Sequence, residues 1–531
     1  MSLQFIIGSS GIGKTHYACE QIIRESMENP QHLYYIIVPE QFTMQTQKNV
    51  VEMHPGKGIL NIDVLSFQRL AYRIFEETGG AREVLLDDTG KSMVLQKLVQ
   101  QHRKNLPYLG SQMNKPGYLD EVKSLISEFM QYDIREEELQ DMLEKTGEDS
   151  LLHMKMQDVG VLYQAFLQYL EGHYMTGEGV MDALKKAIPF SDKLKKSVLL
   201  LDGFTGFTPV QMNVIRELLN VCDKVLVTVT MDAGENPLQM GKPHQLFYMS
   251  RKMVHTLSGL TSNLDDPILL KDERKGRFGN STSLDFLEKH LFRYRRSAYE
   301  KKQEEICIFA AESPVKELEE TARRIRRLVR EKNLKYGEIA VITGNLEAYK
   351  SIASQVFEES RIPYFLDEKH TILMNPFIEY IRAALEMVTK GFSYESVFRY
   401  LRCDMSGLGR EQVDMLENYV LALGIHGYKK WSEKWVRVYR TMDPEDIQVL
   451  NEYREIFVRE AEILAQGFSI GKRKVCEYCY SLYQFIASCE IQKKLKKQEL
   501  FFKEKGEKAL EKEYAQIYGI VMELLDRMVE I

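Results

Sequence analysis

The residues best suited to chemistry lie near the start of the chain, in the segment GSSGIGKT at residues 8–15. This segment fits the pattern G-x-x-x-x-G-K-[ST], a loop whose backbone N–H groups wrap phosphate groups. The N-terminus of the following helix adds partial positive charge, the lysine reaches the β- and γ-phosphates, and the final hydroxyl binds Mg²⁺. The sequence therefore predicts an ATP and Mg²⁺ site formed by Gly8, Ser9, Ser10, Gly11, Ile12, Gly13, Lys14 and Thr15.

A second segment, SVLLLDGF at residues 197–204, is the expected partner of this loop. An apolar run that ends in an aspartate has the form of a Walker B strand, so Asp202 is predicted to hold Mg²⁺ together with Thr15. The alternative is that Asp202 is a turn residue that caps a buried strand. In most motor ATPases a glutamate follows this aspartate and polarises the attacking water, but here Gly203 follows. Loss of a general base costs about 10² to 10⁴ in rate, so the site is predicted to bind ATP better than it hydrolyses it.

The elements that must position these residues can be read from the hydrophobic pattern. Apolar runs predict buried strands before the phosphate loop and at 34–38, 59–65, 197–204 and 225–230, while 86–189 shows helical spacing. A second α/β unit is predicted from 306, with strands at 306–310 and 339–343 and helices at 314–332 and 346–359, and the chain after 392 is predicted to be helical. The fold class is therefore α/β, a P-loop NTPase with helical insertions.

Two loops follow predicted strands of this sheet, where open α/β sheets bind ligands. The first is the polar, aromatic-bearing turn at 39–43. In the second, Phe67 and Tyr72 could stack on nucleic-acid bases while Arg69 or Arg73 contacts phosphates. The alternative is that Phe67, with Leu70 and Ile74, is part of the buried stripe of a helix.

Composition limits the classes of protein to consider. The length of 531 residues suggests three or four domains, and 44% hydrophobic with 28% charged residues is typical of a soluble protein. No run of 18 apolar residues predicts a membrane span, the start of the chain leaves no room for a signal peptide, and seven scattered cysteines fit a reducing cytosol. We therefore expect a cytoplasmic bacterial protein. Because the net charge is −6, any contact with nucleic acid must come from local surfaces.

Two further patterns are interpreted as structural. Cys476 and Cys479 form a C-x-x-C pair, but no fourth ligand follows at the spacing of a metal site, so both are predicted to be helix residues. The arginine-rich segment at 323–330 is predicted to be the solvated face of a helix rather than a phosphate site.

The order of motifs resembles the AddB family, the B subunits of bacterial AddAB helicase-nucleases. The resemblance rests on the P-loop, VPEQFT, SFQRLAYRI, LLLDGFTGFTP, YGEIAVITGN, RIPYFLDEKH and LMNPFIEYI, and it covers the chain to at least residue 389. General superfamily 1 helicases have glutamate after the Walker B aspartate and then a G-D-x-x-Q element, and this chain has neither. These departures match the AddB family, whose helicase fold mainly grips and scans single-stranded DNA.

The resemblance implies partners and cofactors. It implies an AddA-type subunit that unwinds double-stranded DNA ends, recognition of the Chi recombination hotspot by the AddB-type subunit, and no membrane partner. It also implies a nuclease domain and a 4Fe-4S cluster in a C-terminal half, which we expect to lie outside this chain. By resemblance, the DNA-scanning surface would comprise Glu40, Gln41, Thr43, Phe67, Arg69, Tyr72, Phe204 and Phe207.

The resemblance also implies a superfamily 1 architecture with two RecA-like domains. Domain 1A would comprise 1–85 and 190–295, helical 1B 86–189, the first part of 2A 304–392, and an incomplete helical 2B 393–531. Two rivals stay open: an active helicase motor, and a structural partner subunit with a vestigial P-loop. A small-molecule kinase is disfavoured, because it would be a compact single domain and would not need the second predicted α/β unit.

Overall fold

The computed structural model describes residues 2–80, 83–113, 115, 117–147, 150–232, 234–271, 276–293, 297–367, 371–439, 442–443, 445–469 and 473–531. Residues 368–370, at the end of the RIPYFLDEKH motif, therefore lie outside the described part. The chain divides after Ile308 into two units.

Apolar runs in the first unit form strands, as a parallel sheet buried on both faces requires. The strands are β1 (Ser2–Gly8), β2 (Leu33–Ile37), β3 (Ile62–Leu65), β4 (Val84–Leu86), β5 (Tyr174–Thr176), β6 (Ser197–Leu201), β7 (Lys224–Thr230) and β8 (Ile268–Leu269). Among the described residues, six of them form one parallel sheet in the order β3-β2-β6-β7-β1-β8, and β4 pairs with β5 in a separate parallel ladder. All carboxyl ends of the large sheet therefore lie along one edge.

Helices of the first unit connect these strands and cover the sheet. They are α1 (Lys14–Glu28), α2 (Thr43–Met53), α3 (Phe67–Thr78), α4 (Asp88–His102), α5 (Leu109–Gln112), α6 (Tyr118–Gln131), α7 (Glu136–Glu144), α8 (Leu151–Leu170), α9 (Gly179–Ala187), α10 (Pro209–Val221), α11 (Tyr248–Ser258) and α12 (Thr282–His290). Residues from α1 and α2 pack on one face of the sheet, and residues from α3, α9, α10 and α11 pack on the other. The sheet is thus a rigid support for the loops at its edge.

The second unit is helical in its described residues. Its helices are α13 (Pro314–Glu331), α14 (Leu346–Glu359), α15 (Pro376–Thr389), α16 (Tyr394–Leu401), α17 (Arg410–Leu423), α18 (Tyr428–Ser432), α19 (Asp446–Gly467), α20 (Val475–Ser488), α21 (Ile491–Lys505) and α22 (Lys508–Glu530). Helices α13 and α14 share a small core, and α15 to α22 enclose a larger one rich in aromatic residues.

The predicted strands at 306–310 and 339–343 are not formed. Neither segment has ladder hydrogen bonds to another described segment. Their apolar side chains include Ile308 and Ile342, which are 94% and 93% exposed. The apolar pattern predicts burial, but a strand also needs a partner backbone, and no described residue supplies one. The predicted α/β character of this unit is therefore wrong for the described residues.

Candidate nucleotide-binding site

The P-loop occupies the connection between β1 and α1. Gly13 has φ +99° as the N-cap of α1, and Gly11 has φ +76°, a left-handed conformation that disfavours other residues. A Cβ atom at Gly11 would also lie 2.8 Å from the ring of Phe278, so the loop has no room for a side chain there. The first N–H groups of α1 and the amides of the loop form a concave anion-binding site, as the motif predicts.

Three side chains predicted from distant motifs meet at this loop. The Lys14 ammonium donates to the backbone oxygen of Ser9 at 2.8 Å, and Thr15 Oγ1 donates to Asp202 Oδ1 at 3.1 Å. Burial lowers the pKa of Lys14, against the opposing attraction of Asp202 and Glu288. A hydroxyl and a carboxylate at contact distance beside an anion cradle fit Mg²⁺, which prefers oxygen ligands and bound phosphates. The residues present therefore fit Mg²⁺-ATP.

Thr228 is a member of this site that sequence reasoning missed. It lies on β7, which separates β1 from β6, and it is 5% exposed. Thr228 Oγ1 donates to Asp202 Oδ1 at 2.6 Å and accepts from the backbone N–H of Gly203 at 3.4 Å. Asp202 is thus held by hydroxyls from two other segments, which a simple strand-capping role does not require. The only signal in the sequence was a threonine within a predicted apolar strand.

A cleft of about 1120 Å³ extends from the P-loop along α1 and α2. Its lining includes Lys14, Thr15, Tyr17, Asn49 and Arg277. The backbone N–H of Arg277 donates to Gly11 O at 2.7 Å, which fixes the 276–279 turn against the P-loop. The cleft has room for a nucleotide, because small-molecule sites occupy about 300 to 1,000 Å³.

The loops predicted to contact DNA meet at the carboxyl edge of the sheet, after β2, β3 and β6. Arg69 Nε lies 3.0 Å from Glu40 Oε1, which joins the loops after β2 and β3. The rings of Phe67 and Phe204 are 5.7 Å apart, which joins the loops after β3 and β6. Gln41 is exposed beside Glu40. The sheet therefore brings three segments together that the sequence separates by more than 130 residues.

Two of the predicted DNA contacts are buried instead. Phe67 is 6% exposed and packs against Phe204 and Phe207, both of which are partly buried. Its ring faces the core, so the stacking role predicted for Phe67 is replaced by the alternative of a buried helix stripe. Thr43 is 3% exposed, and its hydroxyl donates to Glu40 O at 3.0 Å at the start of α2.

Other side chains at this edge are open. Tyr72 is 38% exposed, and its ring makes an edge contact with Phe75 at 6.3 Å. Phe42 and Met44 are 51% and 80% exposed, although their positions in the loop after β2 did not single them out in the sequence. Large apolar groups that stay exposed beside an arginine are typical of surfaces that bind single-stranded nucleic acid.

Comparisons with known proteins place the chain. The family model described as "ADDB, N-terminal" matches residues 5–288, more than half of the chain, and a "UvrD-like helicase C-terminal domain" matches residues 279–530. The chain belongs to the AddB family. The parallel α/β sheet and the UvrD-like match together fit a helicase-like fold.

Members of the AddB family share similarity with the chain over its whole length. It is 41% identical to the B subunit of the ATP-dependent helicase/deoxyribonuclease from Lachnoclostridium phytofermentans, covering 47% of that protein, and 34% identical to its namesake from Clostridium novyi, covering 46%. The chain thus spans about half the length of the curated relatives that it matches. No helix in the described part of the chain is long and apolar enough to cross a membrane.

The remaining motifs contribute nothing to the site. Cys476 and Cys479 both lie on α20, where Cys479 is buried. Within the described ranges, no group of three or more His, Cys, Asp or Glu side chains is arranged to hold a metal. The predicted Mg²⁺ site differs from such groups, because it would combine one hydroxyl and one carboxylate with phosphate oxygens.

Proposed function

We propose that the chain is part of the AddB-type subunit of an ATP-dependent helicase/deoxyribonuclease that processes double-stranded DNA ends for recombinational repair. In this proposal the first unit binds Mg²⁺-ATP, and the loops at its sheet edge scan single-stranded DNA for the Chi hotspot. An AddA-type subunit supplies the motor. The observation that supports nucleotide binding best is the contact between Thr15 and Asp202 at 3.1 Å beside Lys14.

Each group in the site has a separable role. The P-loop amides and the Lys14 ammonium stabilise phosphate charge, while Thr15 and Asp202 are placed to hold Mg²⁺. Thr228 orients Asp202, because its hydroxyl occupies one lone pair of the same carboxylate oxygen. Mg²⁺ supplies positive charge between the phosphates and this carboxylate when it is bound. Nucleotide binding on these elements would stabilise one arrangement of the sheet-edge loops.

The architecture proposed for the helicase is two RecA-like domains with helical insertions. Residues 1–85 and 190–295 would form domain 1A, 86–189 domain 1B, 304–392 part of domain 2A, and 393–531 part of domain 2B. Helices α4 to α9 lie between β4 and β6, which supports an insertion into domain 1A. The UvrD-like match at 279–530 supports the assignment of the later residues to a helicase C-terminal region.

The absence of a glutamate after Asp202 favours a scanning subunit over a motor. Gly203 occupies that position with φ +79°. In the scanning subunit, Lys14→Ala should abolish binding of a fluorescent ATP analogue yet only modestly slow unwinding by the complete heterodimer. If this substitution stops unwinding, the motor alternative is correct. If wild type binds no nucleotide with or without Mg²⁺, the alternative of a vestigial P-loop is correct.

A further inference from the structure

A carboxylate already contacts the phosphate-binding loop. Glu288 projects from α12, and its Oε1 accepts a hydrogen bond from the backbone N–H of Ser10 at 3.3 Å. Its side chain is only 15% exposed. The amides of a P-loop normally donate to phosphate oxygens, so Glu288 places negative charge where a phosphate group would bind.

The position of Lys14 shows which phosphate is affected. The lysine of this motif reaches the β- and γ-phosphates, and the Lys14 ammonium lies 2.8 Å from Ser9 O. Ser9 and Ser10 therefore lie on the side of the loop that faces the terminal phosphates. Glu288 is close enough to Lys14 for its charge to oppose the effect of burial on the pKa of that lysine. A carboxylate and a terminal phosphate at this end of the loop would repel each other.

The structure also provides an alternative partner for Glu288. Arg293 holds Asp232, the second residue after β7, through two hydrogen bonds of 3.0 and 2.9 Å. One nitrogen of the same guanidinium lies 3.9 Å from Glu288 Oε1. A small rotation of the Glu288 side chain away from Ser10 would thus bring it into closer contact with a cation that is already in place.

We propose that Glu288 sets the nucleotide preference of this site, because it opposes the terminal phosphate of a nucleoside triphosphate while leaving a diphosphate undisturbed. This inference rests on the proposed nucleotide-binding function. In the observed arrangement the loop is a diphosphate site. A triphosphate binds only when Glu288 leaves Ser10 and pairs with Arg293.

The test compares Mg²⁺-ATP and Mg²⁺-ADP binding to the whole chain and its Glu288→Gln variant by titration calorimetry. Glutamine keeps the size of the side chain and its acceptor oxygen but removes the charge. The affinity for ATP should rise about tenfold or more, a change of about 1.4 kcal/mol, because the repulsion is lost. The affinity for ADP should change by less than about threefold.

Asp285→Asn is the matched control. Asp285 lies one turn earlier on α12, lines the same cavity of about 450 Å³, and carries the same charge, but its ion pair is with Lys289. Both affinities should stay within about twofold of wild type in this variant. Glu288→Ala, which removes the acceptor as well, should also favour ATP.

The possible outcomes separate the two proposals. An unchanged ratio of ATP to ADP affinity in Glu288→Gln, or weaker ATP binding, would overturn the role of Glu288 while nucleotide binding itself stands. An equal gain in Asp285→Asn would overturn it too, since only the overall charge would matter. Absence of nucleotide binding in wild type and in all three variants would instead refute the proposed function.

Discussion

Gly203 is the residue that most clearly separates this site from a motor ATPase. Its φ of +79° lies in the left-handed region, where a side chain costs about 1 to 2 kcal/mol. A Cβ atom built there would lie 3.7 Å from Pro39 Cδ, so a side chain would extend toward the loop after β2. The glycine is thus required by the backbone of this turn, and the missing glutamate is more than a single changed residue.

This conformation predicts that restoring the glutamate will not restore a motor. Gly203→Glu should lower stability by about 1 to 2 kcal/mol, and ATP turnover should rise by less than about tenfold, because the carboxylate points toward Pro39. Thermal unfolding and a phosphate-release assay measure the two effects. Gly203→Ala serves as the control, since it carries the same backbone cost without the carboxylate. A gain in turnover of about 10² in the glutamate variant alone would show that the backbone readily re-aims the side chain.

Between elements, one buried ion pair holds the helical insertion together. The Lys91 ammonium, on α4, donates to both oxygens of Glu178 at 3.0 and 2.9 Å and to Ser127 Oγ on α6 at 3.2 Å. Glu178 immediately precedes α9, and both charged side chains are about one-tenth exposed. Burial raises the pKa of Glu178, but the hydrogen bond and charge of Lys91 outweigh this effect and lower it below its usual value.

Removing one partner of this pair should therefore be costly. Glu178→Gln leaves the Lys91 ammonium buried without its counter-ion, for which we expect a loss of about 3 to 5 kcal/mol. Hydrogen-exchange mass spectrometry should show faster exchange in α4 and α9. Asp120→Asn, which breaks an exposed pair with Lys123 on α6, should change exchange little. Equal protection in Glu178→Gln and wild type would mean that the pair does not hold these helices.

The same pair predicts a pH dependence. Because the pKa of Glu178 is lowered on folding, its contribution to stability is present above the pKa of the unfolded chain, about 4.3. The contribution is lost as the pH falls through the lowered pKa of the folded state. Protection of α4 in wild type should thus decline toward that of Glu178→Gln only below about pH 4.3.

How far the elements follow from the sequence depends on how local their determinants are. Strands β1, β2, β6 and β7 were predicted because each is a continuous apolar run, and α14 has the predicted bounds. Strands β4, β5 and β8 span only two or three residues, too few for a periodic pattern. Thr228 and Glu288 could not be placed at the P-loop, because tertiary folding alone brings them within reach of Asp202 and Ser10. Phe67 satisfied two interpretations, and only its packing decided between them.

At the scale of the whole molecule, the net charge of −6 decides how DNA can bind. A chain with this charge has no global attraction for phosphates, so affinity must come from local contacts and stacking. At the sheet edge, Arg69 and Tyr72 are the exposed members of the predicted surface that suit these two roles. Arg69 is paired with Glu40, but both side chains are about half exposed, and an exposed pair contributes only about 0 to 1 kcal/mol. A phosphate group could therefore take the place of Glu40 at little cost.

These roles predict distinct effects on single-stranded DNA binding measured by fluorescence anisotropy across a salt series. Arg69→Ala should weaken binding and reduce the slope of log affinity against log salt by about 0.7, because one phosphate contact is lost. Tyr72→Ala should weaken binding by about 1 to 3 kcal/mol at every salt concentration and leave the slope unchanged. Glu40→Gln should tighten binding, since it frees Arg69.

Two exposed residues elsewhere in the first unit provide matched controls for this series. Arg216→Ala removes an exposed arginine on α10 that bonds to Asn213, and Tyr132→Ala removes a tyrosine at the end of α6 that is 58% exposed. Neither should change affinity or slope beyond error, because neither follows a sheet strand at its carboxyl end. If the controls weaken binding as much as Arg69→Ala and Tyr72→Ala do, DNA binds diffusely and the sheet edge is not the scanning surface. If DNA binds but none of the four alanine substitutions weakens it, the DNA contacts lie elsewhere, and the position of these loops at the carboxyl ends of β2 and β3 reflects only the architecture of the sheet.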